Sequence, residues 1–160
     1  MSKSLARVCA ALKAANIAAQ PIEMTAETRT AAQAAEAAGC ELDQIVKSIL
    51  FAGSAGQLYL FLTAGGNRVD AARASALAGE ALGRAEVAQV RKITGFAIGG
   101  VAPIGHLTPL PIWLDHKLLD FAQVWAAAGT PRHIFPIAPQ DLLRICGAKA
   151  ADFTEEPLGS

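Results

Sequence analysis

The sequence predicts a single α+β domain with a mixed, largely antiparallel sheet. Three observations carry this. Strand-like runs come in hairpin-like pairs, helical patterns stand between them, and no regular strand–helix–strand alternation runs along the 160 residues, which argues against a doubly wound parallel sheet. Apolar residues make up 52% of the chain and charged residues 18%, enough for a packed core and too apolar for disorder. The domain is expected to span residues 1–153, followed by a flexible tail, 154–160, whose terminal Gly-Ser reads as an added scar.

Each element has its own local reason. Ser2 can cap a helix with Leu5, Val8, Cys9 and Leu12 on one face, ended by Asn16. "IAAQPIEM" reads as an edge strand because of Pro21. "ETRTAAQAAEAAGC" reads as a short helix, capped by Thr28 or Thr30 and stopped by Gly39. "VKSILFA" and "LYLFLTA", joined by "SAGQ", form a hairpin. "GGNRVD" is a loop, and the helices "AARASALAG" and "AEVAQVRKITG" follow it. After the loop "AIGGVAPIGH" come a strand "LPIWLD", a helical turn "HKLLD" and the strands "QVWAAAG" and "HIFPIA". The last helix, "PQDLLRICG", has Pro139 in its first turn and Gly147 at its end.

Composition excludes several function classes. The 14 basic residues balance the 14 acidic ones, whereas a protein that wraps long nucleic acid carries a basic excess; any nucleic-acid contact is expected to be local and short. The three cysteines are scattered and form no C-x-x-C pair, so a zinc site or disulfide framework is not expected. The first residues, "MSKSLARVCAALKAANI", show no secretory leader, and the longest apolar runs fall far short of the roughly 20 residues that span a bilayer. The cytoplasm is the expected location. Neither nucleotide-binding glycine fingerprint is present. No histidine sits in a metal-binding spacing, and no G-x-S-x-G turn supports a serine hydrolase.

Two features stand out for chemistry. Lys47 lies in "IVKSILF", amid apolar residues. Either it points out of a one-sided sheet, or an anion meets its ammonium. The loop "AIGGVAPIGH" carries Gly99, Gly100 and Gly105, whose bare backbone can leave N–H groups free for a phosphate or an oxyanion, with Pro103 as a stiffener. "TRT" at 28–30 and "NRVD" at 67–70 are either helix caps or contacts to a sugar, base or phosphate.

Together, "TRTAAQAAEAAGCELDQIVKSILF", "GGNRVD", "TGFAIGGVAPIGHLTPLPIWLD" and "VWAAAGTPRHIFPIAPQDLLRI" resemble the YbaK/prolyl-tRNA-synthetase-associated editing family over roughly residues 25–147. That resemblance implies a barrel-like curved sheet surrounded by helices. It implies hydrolysis of the ester of a mischarged tRNA, with the acceptor CCA end as partner and prolyl-tRNA synthetase as a candidate second partner. Lys47 would lie beside the 3′-terminal nucleotide, and the loop formed by Gly99, Gly100, Val101, Ala102 and Pro103 would face the ester. Thr30, Ser48, His106 and Gly129 would complete the substrate site, and Arg29, Arg68 and Arg132 would receive the acceptor stem. The amino acid removed would be small: alanine, serine, threonine, cysteine or 2-aminobutyrate, carried on proline tRNA. His106 either lines that pocket or caps the loop. No metal or cofactor is required by such a reaction, since the ester is already activated. A non-catalytic module that binds a CCA end or nucleotide is the alternative.

Overall fold

The computed structural model describes residues 2–156. Helix α1 (Lys3–Ala14) begins where Ser2 Oγ accepts the Leu5 N–H, and buries Leu5, Val8 and Leu12. Strand β1 (Ile22–Glu23) is only two residues long, an edge strand on β7 (His133–Ile137). Helix α2 (Ala31–Ala38) starts in a reciprocal cap between Thr30 and Gln33 and ends at Gly39, whose φ of 68° favours glycine. Thr30 is therefore the cap. Thr28 is buried instead, with both its N–H and its hydroxyl donating to Pro131 O.

Strands β2 (Ile45–Ala52) and β3 (Leu58–Ala64) form the expected hairpin, closed by Gly53 N–H to Gln57 O. Then come α3 (Ala71–Ala78), β4 (Gly83–Arg84), α4 (Val87–Thr94), β5 (Ile112–Asp115), β6 (Val124–Ala127), α5 (Pro139–Ile145) and β8 (Lys149–Ala151). One curved sheet runs β1-β7-β6-β2-β3-β5-β8, with β4 paired to β2 off this path. Four pairings are antiparallel and three, β2–β6, β3–β5 and β5–β8, are parallel. The parallel pairs arise because long crossovers, with helices in them, separate those strands.

All seven residues of β3 are buried. By alternation Leu58, Leu60, Leu62 and Ala64 face the main core, with α1, Phe96 and Leu142. Tyr59 and Phe61 face a second cluster with Trp113, Ala74 and Phe153. Phe61 stacks on Trp113 at 5.1 Å and meets Phe153 edge-on at 5.1 Å. Full burial of Phe153 is worth about 2 kcal/mol.

Phe153 also changes the expected tail. Thr154 bridges Val69, Glu155 N–H donates to Arg68 O, and Arg73 pairs with Asp152 and Glu156. Residues 154–156 are thus tied to the loop before α3 and to α3 itself, and are no free tail. Residues 157–160, with the terminal Gly-Ser, lie outside the described residues.

Candidate active site

The site begins where the sheet splits. On one edge, β2 pairs with β6 only at Ile45 and Val46, and with β4 only at Phe51 and Ala52. Leu60 N–H donates to Pro111 O next to β5, so even-numbered residues of β3 bond toward β5 and odd-numbered ones toward β2. The register then makes Lys47, Ile49 and Phe51 the residues that bond β3. The N–H and C=O of Ser48 face the gap between β6 and β4. A cavity of about 600 Å³ opens there, walled by Ala31, Ala34, Val90, Trp125, Ala127 and Ile134.

Lys47 and Ser48 point to opposite faces of the strand, yet both border this cavity because it opens at the strand edge. Ser48 Oγ is buried and has no partner among the described residues. The Lys47 ammonium donates to Asn67 O, in the "GGNRVD" loop, and among the described residues forms no ion pair. It keeps donors to spare. Burial pulls the Lys47 pKa down, Arg68 adds repulsion, and Asp115 and Asp43 act in the opposite direction.

Asp115 explains why Asn67 stands where it does. Its side chain sits in a buried position, 4% exposed. Oδ2 accepts the Ala64 N–H at 3.1 Å and Asn67 Nδ2 at 2.9 Å, while Oδ1 accepts the Lys117 N–H at 3.0 Å. Asp43 holds the same loop through the Gly66 N–H at 2.8 Å. Sequence reasoning missed both carboxylates. The available signal was "WLDHK", an aspartate that ends a strand and caps the next turn.

The glycine loop forms the opposite side. Ala97 to Gly100 is a β-turn, with Gly100 N–H on Ala97 O at 3.0 Å and Gly99 at φ 91°, a value that favours glycine. The Gly100 N–H is therefore engaged, contrary to expectation. Its role is spatial: a Cβ there would lie 2.8 Å from the Thr130 main chain. Gly100→Ala is expected to destabilise by about 1–3 kcal/mol, read as a lower urea midpoint. An unchanged midpoint would show that the Thr130 turn yields. The N–H groups of Gly99, Val101 and Ala102 meet no acceptor among the described residues, although Val101 and Ala102 are buried. A buried donor without a partner costs about 1–3 kcal/mol, and an acceptor on a ligand relieves that cost.

Of the expected residues, Lys47, Ser48, Gly99, Val101, Arg29 and Thr30 border the cavity. Arg29 pairs with Glu27 at 2.8 Å, and this bond holds the Glu27 carboxyl below its usual range. The Thr30 hydroxyl is engaged in capping α2. Gly100, Ala102 and Pro103 are not among the lining residues. Arg68 lies near Lys47, outside the lining, and Arg132 reaches Thr25 O at the exposed surface. Gly129, at φ 96°, packs against Ser4 O of α1. His106 does not line the cavity: its Nε2 lies 2.7 Å from Ala102 O and its ring meets Phe96 edge-on. Burial holds the imidazole below its usual pKa; the Ala102 bond opposes this and the Arg7 charge reinforces it. A neutral ring with its proton on Nε2 donates it to Ala102 O, which is the loop-capping role. Among the described residues no cluster of His, Cys, Asp or Glu is placed to hold a metal ion.

Known proteins resemble this chain over most of its length. Residues 25–145 match the model of the aminoacyl-tRNA editing domain. The uncharacterized protein YwhH of Bacillus subtilis (strain 168) is 31% identical over 120 residues, 75% of this chain and 76% of that one. A solved structure described as a candidate trans-editing enzyme for prolyl-tRNA synthetase is 48% identical, with a TM-score of 0.91 over 98% of this chain and 99% of that one. The structure of a hypothetical protein, APE2540, is 28% identical, with a TM-score of 0.86 over 93% and 99% of the two chains. With its residues 25–145 matching the editing-domain model, this chain belongs to the aminoacyl-tRNA editing domain family.

Proposed function

We propose that this protein is a trans-acting deacylase of the cytoplasm, which hydrolyses the ester between a small amino acid and the 3′ end of a mischarged tRNA. One observation carries the reading: Lys47, Gly99 and Val101 border the same cavity, and the Gly99 and Val101 N–H groups meet no acceptor among the described residues. Lys47 is a point cation for the phosphate or ribose of the terminal nucleotide. The loop N–H groups are fixed donors for the charge that develops on the ester carbonyl oxygen as water attacks, and each such donor is worth about 3 kcal/mol in well-studied sites. The leaving ribose hydroxyl takes up a proton as the tetrahedral intermediate collapses. The attacking water can give its proton to the substrate's own amino group.

The walls favour a small amino acid. Ala31, Ala34, Ala126, Ala127, Ile45 and Ile134 present an apolar surface, and one methylene in such a pocket is worth about 1–3 kcal/mol of discrimination. Proline tRNA is the proposed carrier, from the likeness to the candidate editing enzyme for prolyl-tRNA synthetase. The test is a panel of tRNAs charged with alanine, serine, threonine, cysteine, proline and 2-aminobutyrate. Release of at least one small amino acid is expected, with proline spared. Tight binding of every member with no release would instead assign a non-catalytic module for the CCA end.

A further inference from the structure

Helix α1 precedes the residues that match the editing-domain model, 25–145. It nevertheless sends side chains to the glycine loop, Arg7 above all. Arg7 Nη2 donates to Gly95 O at 2.8 Å and lies 3.5 Å from Thr94 O, while its Nε donates to Gly105 O at 3.2 Å. Gly95 and Gly105 are the two ends of the loop that carries Gly99 and Val101, and both turn at φ 80°. The guanidinium thus bridges the neck of the loop.

Its flat face is used as well. The guanidinium carbon lies 4.6 Å from the centroid of the Phe96 ring, and Phe96 is fully buried. His106 also packs on Phe96, its ring at 6.0 Å and its Nε2 2.7 Å from Ala102 O. Ser4, one turn earlier on α1, places its Oγ 3.4 Å from Gly95 O. Arginine suits this place for a physical reason. A planar fork reaches two divergent carbonyls while stacking on an aromatic ring; a lysine ammonium does not combine these.

We propose that Arg7 is a positioning residue: by tying Gly95 to Gly105 it fixes the N–H groups of Gly99 and Val101 where the ester carbonyl is bound. The N-terminal helix is then a working part of the site rather than only a wall of the core. This rests on the deacylase reading for its kinetic consequence, but not for its structural one.

The experiment compares the full-length protein with Arg7→Met, which keeps the apolar stem, and Arg7→Lys, which keeps the charge. Amide hydrogen exchange and deacylation are both read. In Arg7→Met, exchange at the hydrogen-bonded amides of the loop and its neck, Gly100 on Ala97 O, Leu107 on Thr94 O and Thr108 on Ile93 O, is expected to rise at least tenfold while β3 amides stay unchanged. The rate at saturating charged tRNA is expected to fall at least tenfold with KM within twofold. Arg7→Lys should fall between Arg7→Met and the parent. Unchanged exchange in the loop would overturn the proposal, and so would an equal rise in β3, which marks general loss of stability. If the parent protein deacylates no charged tRNA, the functional reading fails, and the exchange pattern alone decides whether Arg7 holds the loop.

Discussion

Replacing Lys47 by methionine is expected to reduce deacylation at least 100-fold and, at neutral pH, to raise the melting temperature. The first effect follows from the loss of the cation at the cavity edge; 100-fold is about 2.7 kcal/mol of transition-state stabilisation. The second follows from the depressed pKa of Lys47, caused first by burial and then by Arg68. Because the folded-state value lies below the ordinary lysine value of 10.5, the unfolded chain binds the proton more tightly. The charged lysine therefore costs stability at pH values below its folded pKa. That cost is relieved as pH rises through the window between the lowered value and 10.5. The melting-temperature advantage of Lys47→Met should be largest near neutral pH and shrink across that window. Thermal melts at a series of pH values check this, alongside single-turnover deacylation. A folded, fully active Lys47→Met or Lys47→Ala protein would remove Lys47 from the mechanism.

Asp115→Ala should produce the largest loss of stability, on the order of 3 kcal/mol or more. The side chain is an acceptor for the N–H groups of Ala64 and Lys117 and for the Asn67 amide. Its removal strands those donors in or near the interior, and a stranded donor costs about 1–3 kcal/mol. For a domain of this size the melting temperature should drop by about 6–12 °C. Asp115→Asn keeps an acceptor oxygen and should fall between the two. The activity change has a direction as well: once Asn67 is released, its carbonyl no longer holds Lys47 in place. Urea unfolding and deacylation of both variants read the two effects, and an Asp115→Ala protein with the parent's urea midpoint would show that these three bonds do not hold the fold.

The parts of this fold that were legible in the sequence are those with local causes. The β2–β3 hairpin shows in two apolar runs around a turn, and the α2 boundaries in Thr30 and Gly39. It is the resemblance to the editing family that joins Lys47 and the glycine loop in one site, though each carries a physical oddity, a charge in an apolar strand and a run of bare backbone. Strands β4 and β8 carry none: Gly83–Arg84 and Lys149–Ala151 have weak strand preference and form through partners distant in sequence. The edge strand expected over "IAAQPIEM" shrinks to Ile22–Glu23, since only that pair meets β7. Asp115 and Arg7 read locally as a turn cap and a helix-surface charge. Their meaning lies in bonds to residues 48 and 98 positions away. The sequence leaves His106 open between pocket and cap; the fold sets its ring against Phe96 and its Nε2 beside Ala102 O.

The split at β2 has an evolutionary consequence. The gap is edged by the main chain of Ser48, and a main-chain N–H and C=O persist whatever side chain the gene encodes there. Substitutions elsewhere in the lining, at Ala34, Trp125 or Ile134, can reshape the chamber while that edge stays intact. On the proposed deacylase reading, a site built this way can drift from one small amino acid to another while its strand edge is kept.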